Sequence, residues 1–368
     1  MSLKTTGEFA EVLKTPKYLP SISLIMPIET KMGLKTELSY KLKMSVDKIE
    51  DQLRQNYPEE KATPVLKRLR KLVSELKYDT HKKTIAIYVS PLLEKVFYLD
   101  IPFEEKIIID DSFEIRDLIY SKKQNQNYLL TILSGKESKV FLNMKGEFIP
   151  LTLNVPDKIE AYKNDINEKT ANFSDESERK EILLDKFLHF TDNGLTAIIL
   201  EHKLPLFVMG TEKTIGHFNT ITHNANHVID YITGNYESET TIELQKIMAP
   251  YIAKWKKAIQ NGLMKKIDEA MSQKKLAYGI QEVWKASTEK KGKILVVEKN
   301  FMYPAQHGSN PDVIYKYDEN LNNSFYIKDA VDDIIEKVLG SGGDVEFVDE
   351  GLLNEYGKIV LIEYYEFI

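Results

Sequence analysis

The sequence contains no cysteine among its 368 residues. Disulfide bonds, thiolate metal sites, iron–sulfur clusters and cysteine nucleophiles are therefore excluded. Long hydrophobic runs are also lacking: the longest aliphatic stretch, Leu195–Leu200 with Thr196 inside it, falls far short of the ~20 residues that a membrane-spanning helix needs. The first residues, MSLKTTGEFAEVLK, lack the apolar core of a signal peptide. We expect a cytoplasmic protein that does not bind a membrane.

What is present indicates a folded chain of several domains. Hydrophobic residues make up 42% of the chain and charged residues 29%, which is typical of globular proteins. The net charge of −6 conceals a gradient: residues 1–83 carry 17 basic and 11 acidic side chains, whereas residues 276–368 carry 9 and 17. A basic front can contact phosphate and an acidic rear can contact a basic protein, but ordinary surface charge in unequal domains explains the same counts.

Hydrophobic spacing predicts a first domain of α+β type over residues 1–120. A buried strand at Ser21–Pro27 precedes two helices whose apolar residues recur every three or four positions. Because only a short loop around Pro58 joins these helices, we expect an antiparallel hairpin. Strands then follow at Thr84–Ser90, Lys95–Leu99 and Lys106–Asp110.

A second domain of α/β type is predicted over residues 121–275, after a polar linker at 121–127. Its expected elements are strands at Tyr128–Leu133, Ser138–Asn143 and Glu147–Leu153, a polar stretch at Val155–Glu178, a helix at Glu181–Phe190, strands at Leu195–Leu200 and Leu206–Met209, and a helix over 241–275.

A third domain is predicted over residues 276–368, where helices and strands alternate around one small sheet. Its expected elements are a helix at Leu276–Ser287, a strand at Lys293–Glu298, an irregular excursion at Phe301–Asn323, a helix at Ile327–Leu339, and strands at Asp344–Asp349 and Lys358–Tyr365.

Two patterns superficially resemble metal or phosphate sites. In both, the neighbouring residues favour a structural role instead. His223 and His227 have the spacing of metal ligands on a helix, but Asn224 stands where a zinc-protease helix needs a glutamate. The glycine run at 340–343 follows a helix instead of preceding one, so Gly340 is expected to cap that helix. We therefore expect no metal and no cofactor.

Adjacent acidic residues provide no evidence for catalysis either. Asp110–Asp111 and Asp332–Asp333 are sequence neighbours, so their side chains diverge, and two carboxylates that act together must converge. We expect these side chains to be solvated. No nucleophile elbow or other self-contained catalytic motif is found in the sequence.

A basic set surrounds the second predicted helix. The set is denser than expected in an acidic chain, and two interpretations stay open: the solvated face of an ordinary helix, or a phosphate-contact surface for RNA. The candidate RNA-binding residues are Lys67, Arg68, Arg70, Lys71, Lys82 and Lys83.

The last domain resembles the third domain of archaeo-eukaryotic peptide-chain release factors and Pelota. The resemblance rests on LAYGIQEVWKA followed by KGKILVVE, and on DAVDDIIEKVLGSGGDVEFVD followed by KIVLIEYY. Each motif has limited specificity, but their order along the chain matches that of the family.

The two earlier domains resemble the same family. YLLTILSGKESKVFLNMKGEF and LPLFVMGTEKTIGHF are similar to its second domain. PSISLIMPIETKMG, the helical hairpin and TIAIYVS resemble the N-terminal domain of its bacterial homologues. The resemblance implies an RNase H-like middle domain and a C-terminal αβα domain like ribosomal protein L7Ae.

The resemblance also implies binding to the ribosome, where a Gly-Gly-Gln loop of the middle domain promotes peptidyl-tRNA hydrolysis. In this chain the corresponding stretch, Val155–Glu178, contains neither glycine nor glutamine, and neither occurs from Leu151 through Asn193. Asn172 and Ser174 are the candidates in this loop for orienting a water molecule.

These observations predict a release-factor-like, ribosome-binding translation factor that lacks the hydrolytic loop and acts in rescue, hibernation or stress. Its expected partners are ribosomal RNA, tRNA and a translational GTPase, with no role for DNA. Two alternatives are a peptidyl-tRNA or RNA hydrolase with an unidentified active site, and an adaptor that binds only proteins.

Overall fold

The structure, a computed structural model, describes residues 8–28, 34–77, 80, 82–124, 126–144, 146–165, 176–317 and 326–364. They form two compact units. Residues up to 124 together with those from 262 onward form the split unit, and residues 125–261 form the central unit. In the described ranges, no helix combines the length and apolarity that crossing a membrane requires.

The α-helices of the described residues are α1 (Glu8–Lys14), α2 (Leu34–Asn56), α3 (Glu59–Ser74), α4 (Arg116–Gln124), α5 (Glu176–His202), α6 (Glu212–Ile221), α7 (Thr241–Ser272), α8 (Gly279–Thr288) and α9 (Ala330–Gly340). Short 3-10 helices lie at Ile159–Asp165, Ala225–His227 and Asn354–Tyr356.

The strands are β1 (Ser21–Pro27), β2 (Thr84–Val89), β3 (Glu94–Leu99), β4 (Lys106–Asp110), β5 (Tyr128–Leu133), β6 (Ser138–Met144), β7 (Glu147–Leu151), β8 (Leu206–Gly210), β9 (Val228–Thr233), β10 (Leu276–Tyr278), β11 (Gly292–Glu298), β12 (Ala305–His307), β13 (Ile314–Lys316), β14 (Tyr326–Ile327), β15 (Asp344–Val348) and β16 (Ile359–Glu363). The predicted mixture of helices and strands is confirmed.

The first sheet of the split unit is antiparallel, in the order β3-β2-β1-β4. Ile22, Leu24 and Met26 of β1 point to the face that α2 and α3 cover. The alternate residue Ile25 faces a second core on the other side, as the period of two in a strand requires. The predicted first strand and the two long helices are therefore confirmed.

The second sheet of the split unit has the order β10-β16-β11-β15, with β11 and β15 parallel and the other pairs antiparallel. Helices α8 and α9 cover one face. The end of α7, from Leu263 to Ala270, covers the other. The L7Ae-like assignment of this segment stays a prediction, as do the RNase H-like assignment and the three-domain boundaries.

One hydrophobic cluster joins the two sheets of the split unit. Tyr88 and Phe97 from the first sheet share it with Trp284 and Val297 from the second. Helix α4 contributes Leu118 and Ile119 to the same cluster. The predicted linker at 121–127 is therefore partly wrong, because residues 121–124 continue a helix whose apolar side is buried.

The central unit contains the sheet β7-β6-β5-β8-β9. Strands β5 to β7 form the predicted antiparallel meander, and β8 and β9 add parallel strands. Helices α5 and α6 pack on one face, and the first part of α7 packs on the other. Strand β9 was not predicted, and five of its six residues are half-buried or exposed.

Helix α5 takes the place of two predicted elements, the helix at Glu181–Phe190 and the strand at Leu195–Leu200. Residues 195–200 were predicted as a strand, but they continue the helix that begins at Glu176. Leu195, Ile198 and Ile199 are buried with helical spacing, whereas Leu200 is 67% exposed. A short apolar run cannot distinguish a buried strand from a helix by periodicity, and here the longer helix is formed.

Three smaller corrections concern the last segment. Residues 276–278 form β10, an edge strand, before the predicted helix begins at Gly279. The excursion after Phe301 contains β12 and β13, which pair with each other. Gly340 is the last helical residue, and the left-handed glycine is Gly342, with φ of +86°, because the backbone reverses two residues later than predicted.

Candidate nucleic-acid interface

Helix α3 separates its apolar and basic residues onto different faces. Val65, Leu66 and Leu69 are buried against the first sheet, whereas Lys67 and Lys71 are exposed. The 3.6-residue period produces this separation, since positions 65, 66 and 69 share one face. The helix therefore packs through leucine and valine and presents lysine to solvent.

The structure brings three of the predicted cations to one groove. Lys67, Arg68 and Lys71 line it along α3, and Leu92 with Glu94 lines the opposite side. The groove has a volume of about 660 Å3, within the ~300–1,000 Å3 range of ligand pockets. Leu92 is 54% exposed, so part of the groove wall is apolar.

These three cations keep most of their capacity to bind an anion. Lys67 is exposed and has no ion-pair partner among the residues that the structure describes. Arg68 is oriented by a long hydrogen bond of 3.4 Å from Nη1 to the Ser90 carbonyl. Lys71 lies 3.8 Å from Glu94, the one acidic residue that lines the groove. The groove therefore has a net positive charge.

The other predicted cations behave differently. Arg70 pairs with Glu50, which also contacts Arg54 at 2.5 Å. Lys82 donates to Asp100 at 2.6 Å. Lys83 is exposed. The structure therefore divides the predicted set: Arg70 and Lys82 already have carboxylate partners, and the three groove residues have weaker ones or none.

The candidates in the loop, Asn172 and Ser174, lie outside the described residues. The chain that leads towards them is anchored in the central unit. Ile159 and Tyr162 of the first 3-10 helix are buried, and the Tyr162 ring stacks on Phe190 with 5.0 Å between centroids. The Tyr162 hydroxyl also donates to the Pro156 carbonyl at 3.0 Å.

The histidine region of the central unit is organised around Asp192, which is 1% exposed. Its carboxylate accepts hydrogen bonds from the Thr222 hydroxyl at 2.6 Å, the His223 backbone at 3.0 Å and the Asn224 amide at 2.9 Å. Burial opposes ionisation, but these bonds together hold the pKa of Asp192 below its ordinary value. The Nδ1 atom of His223 also lies 3.2 Å from the carboxylate.

Metal binding by these histidines finds no supporting geometry in the described ranges. No three histidine, aspartate or glutamate side chains gather there as a set of metal ligands. His217 contacts Asp185 at 2.8 Å, whereas His223 contacts Asp192. Each described contact is a pair that connects α5 to the chain around α6, which is a structural role.

The expectation that Asp332 is solvated is wrong. Asp332 is only 4% exposed and lies beside Arg116, which is 2% exposed and pairs with Asp329. Sequence adjacency gives no information about tertiary burial. The position of Asp332 on α9 is informative, because Asp332 shares the buried stripe of Ile335 and Leu339 at helical spacing.

One protein-family model matches part of the chain. Residues 127–291 match the model of bacterial archaeo-eukaryotic release factor family 3, which confirms the resemblance to bacterial homologues of these factors. No curated protein matches the chain.

Three of the solved structures that match the chain have low sequence identity to it and low TM-scores. The archaeal termination factor aRF1 is 14% identical over 97% of both chains, with a TM-score of 0.25. Archaeal Pelota, described as ribosome-bound with ABCE1, is 11% identical over 98% of this chain and 93% of that chain, with a TM-score of 0.42. Dom34 of S. cerevisiae, described as interacting with Hbs1, is 13% identical over 77% of this chain and 80% of its own, with a TM-score of 0.41.

Proposed function

We propose that this chain is a release-factor-like translation factor that binds the ribosome without a Gly-Gly-Gln hydrolytic loop. One observation carries the proposal: the segment that matches the bacterial release factor family, residues 127–291, includes a stretch from Leu151 through Asn193 without any glycine or glutamine. The family match supports ribosome binding, and the composition of this stretch argues against ester hydrolysis by the usual loop.

The chemistry of the loop explains why its composition matters. Glycines let the backbone approach the end of a tRNA closely, and glutamine helps to place the attacking water. Val155–Glu178 replaces these residues with a largely polar and acidic sequence, VPDKIEAYKNDINEKTANFSDESE. Acidic side chains repel the phosphates of a tRNA end. A role in ribosome rescue, hibernation or stress fits a factor that occupies a site without releasing the nascent chain.

The groove of α3 is the candidate contact for ribosomal RNA. Lys67, Arg68 and Lys71 converge there with one acidic neighbour, and their positive charge suits a sequence-independent contact with phosphates. The acidic segment 276–368 suits a basic protein partner. tRNA and a translational GTPase are further partners under this proposal, which places the protein in the cytoplasm.

The experiment is co-sedimentation of the full-length protein with ribosomes at low salt, from growing and from starved cells. We expect the wild-type protein to pellet with ribosomes and the triple variant K67E/R68E/K71E to remain in the supernatant. The matched control is K43E/K48E/K61E, which reverses three exposed charges outside the groove and should still pellet.

Two outcomes would contradict the proposal. Absence of wild-type protein from the ribosomal pellet in both cell states would remove ribosome binding. Single-turnover release of peptide from peptidyl-tRNA, lost on replacing Asn172 and Ser174 with alanine, would favour the hydrolase instead. Equal pelleting of the groove variant and its control would leave the ribosome as partner but move the RNA contact elsewhere.

A further inference from the structure

Helices α4 and α9 stabilise each other's first turns. The Asp332 carboxylate of α9 accepts hydrogen bonds from the backbone N–H groups of Ile115 and Arg116, at 3.0 and 2.8 Å, where α4 begins. In return, Arg116 pairs with Asp329, the N-cap residue of α9. The four residues Glu114, Arg116, Asp329 and Asp332 are named the α4–α9 contact below, and all are at most 4% exposed.

The charges of this contact do not balance. Arg116 compensates Asp329, and its Nη1 also donates to the Phe301 carbonyl at 2.7 Å. The two N–H groups at the start of α4 stabilise Asp332, as helix N-termini stabilise anions. Glu114 has only the partial compensation of the nearby Arg116 and Lys106, and among the described residues its Oε1 atom is buried without a hydrogen-bond partner.

The surrounding elements provide no spare cation for Glu114. Lys106 of β4 pairs with Asp117 of α4 at 2.7 Å. Lys328 donates to the Ile109 carbonyl at 2.6 Å and faces Asp110. The groups that face Glu114 and Asp332 are Tyr88 from β2, Lys106 and Asp110 from β4, Arg116 and Asp117 from α4, Lys328 before α9, and Asp333 on α9.

Burial of an uncompensated carboxylate favours its neutral form. Burial raises the pKa of Glu114, and Arg116 and Lys106 only partly oppose this. Burial also raises the pKa of Asp332 well above its ordinary value, and the neighbouring Glu114 raises it further. Two interacting carboxyl groups of this kind titrate as a pair.

We propose that Glu114 and Asp332 hold one proton between them at neutral pH, and that this proton keeps the α4–α9 contact closed. When the proton passes to solvent, two buried carboxylates face a single Arg116 that already pairs with Asp329. The contact joins residues before 124 to residues after 262 within the split unit. Proton release therefore weakens the connection between the N-terminal and C-terminal parts of that unit.

The sign of the pH dependence follows from linkage. A carboxyl group whose pKa is higher in the folded than in the unfolded state binds more protons when folded. The stability of the contact is therefore complete at acidic pH below the unfolded value, and it is lost as pH rises through the folded pKa.

The first test measures hydrogen exchange of the Ile115 and Arg116 amides in the full-length protein. Their protection factors, corrected for intrinsic exchange, should fall as pH rises from 6 to 9, by up to about tenfold per pH unit, the limit for one proton. The variant Glu114→Gln should abolish this dependence. The control Glu104→Gln changes an exposed glutamate in the same way and should keep the wild-type dependence.

The second test detects the proton directly. The infrared spectrum of the wild-type protein at pH 7 should contain the absorption of a protonated carboxyl group. This absorption should persist when the buffer is changed to pH 6 and decrease when it is changed to pH 8. Glu114→Gln or Asp332→Asn should remove it. Absence of this absorption in the wild-type protein, or an unchanged pH dependence of protection in Glu114→Gln, would overturn the proposal.

Discussion

The two compact units each bury an aspartate, and the two environments act in opposite directions. Asp192 in the central unit accepts bonds from three residues and has a lowered pKa. Asp332 in the split unit accepts two backbone bonds but faces another carboxyl group, and its pKa is raised. Burial is nearly equal, at 1% and 4% exposure. Burial is the largest influence on the pKa of both carboxyl groups, and only at Asp192 do the hydrogen bonds outweigh it.

The greatest loss of stability is expected on removing the only guanidinium of the α4–α9 contact. Arg116→Met should lower the free energy of unfolding by about 3–5 kcal/mol, because Asp329 would be left buried without its partner. Arg70→Met, which removes an exposed pair with Glu50, should cost less than about 1 kcal/mol. Urea denaturation of both variants measures the difference, and similar costs would contradict the description of the contact.

The corresponding change in the central unit is Asp192→Asn. An amide presents a donor where the carboxylate accepted hydrogen bonds, so we expect a loss of about 2–3 kcal/mol in the free energy of unfolding. Asp185→Asn is the matched control, because Asp185 is 46% exposed and pairs with His217 at the surface. A loss in the control equal to that in Asp192→Asn would show that the hydrogen-bond network contributes little.

A change of pH should affect the Asp192 network less than these substitutions do. The pKa of Asp192 is lower in the folded state, so its contribution to stability is present above the unfolded value near 4 and is lost as pH falls through the folded pKa. Protection of the His223 and Asn224 amides should therefore fall on acidification from pH 5 to 3. Hydrogen exchange checks this, and Asp192→Asn should be insensitive over that range.

Charges that are not buried should contribute least. Lys67→Ala should reduce the slope of log binding constant against log salt for RNA by about 0.9, one phosphate contact. Lys82→Ala should leave the slope nearly unchanged, since Lys82 pairs with Asp100. Filter binding across a salt series measures both slopes, and equal changes would refute the division of the basic set.

Several elements of the fold were predictable because local pattern and tertiary environment agree. Ser21–Pro27 and Tyr128–Leu133 are apolar runs bounded by breakers, and both form the predicted strands. Leu195–Leu200 has the same local appearance but continues α5. Whether such a run forms a strand or a helix depends on which residues pack against it, and a short window of sequence does not contain that information.

The candidate site was predictable in composition but not in arrangement. The sequence placed Lys67, Arg68, Arg70 and Lys71 on one helix, and all four lie on α3. Only the fold shows that Arg70 faces Glu50 while Lys67 faces the groove. The partner residue lies 20 positions earlier in the chain, beyond the reach of helical spacing.

Four properties can be read from the order of residues alone: the absence of thiol chemistry, the strands and helices with clear periodicity, the basic character of α3 and the lack of glycine and glutamine between 151 and 193. These properties depend on residue identity and on neighbours a few positions away. Only the tertiary structure decided that Asp332 is buried beside Arg116, 216 positions away. Desolvation and pairing depend on three-dimensional distance, and contacts of such long separation leave no periodic signal in the chain.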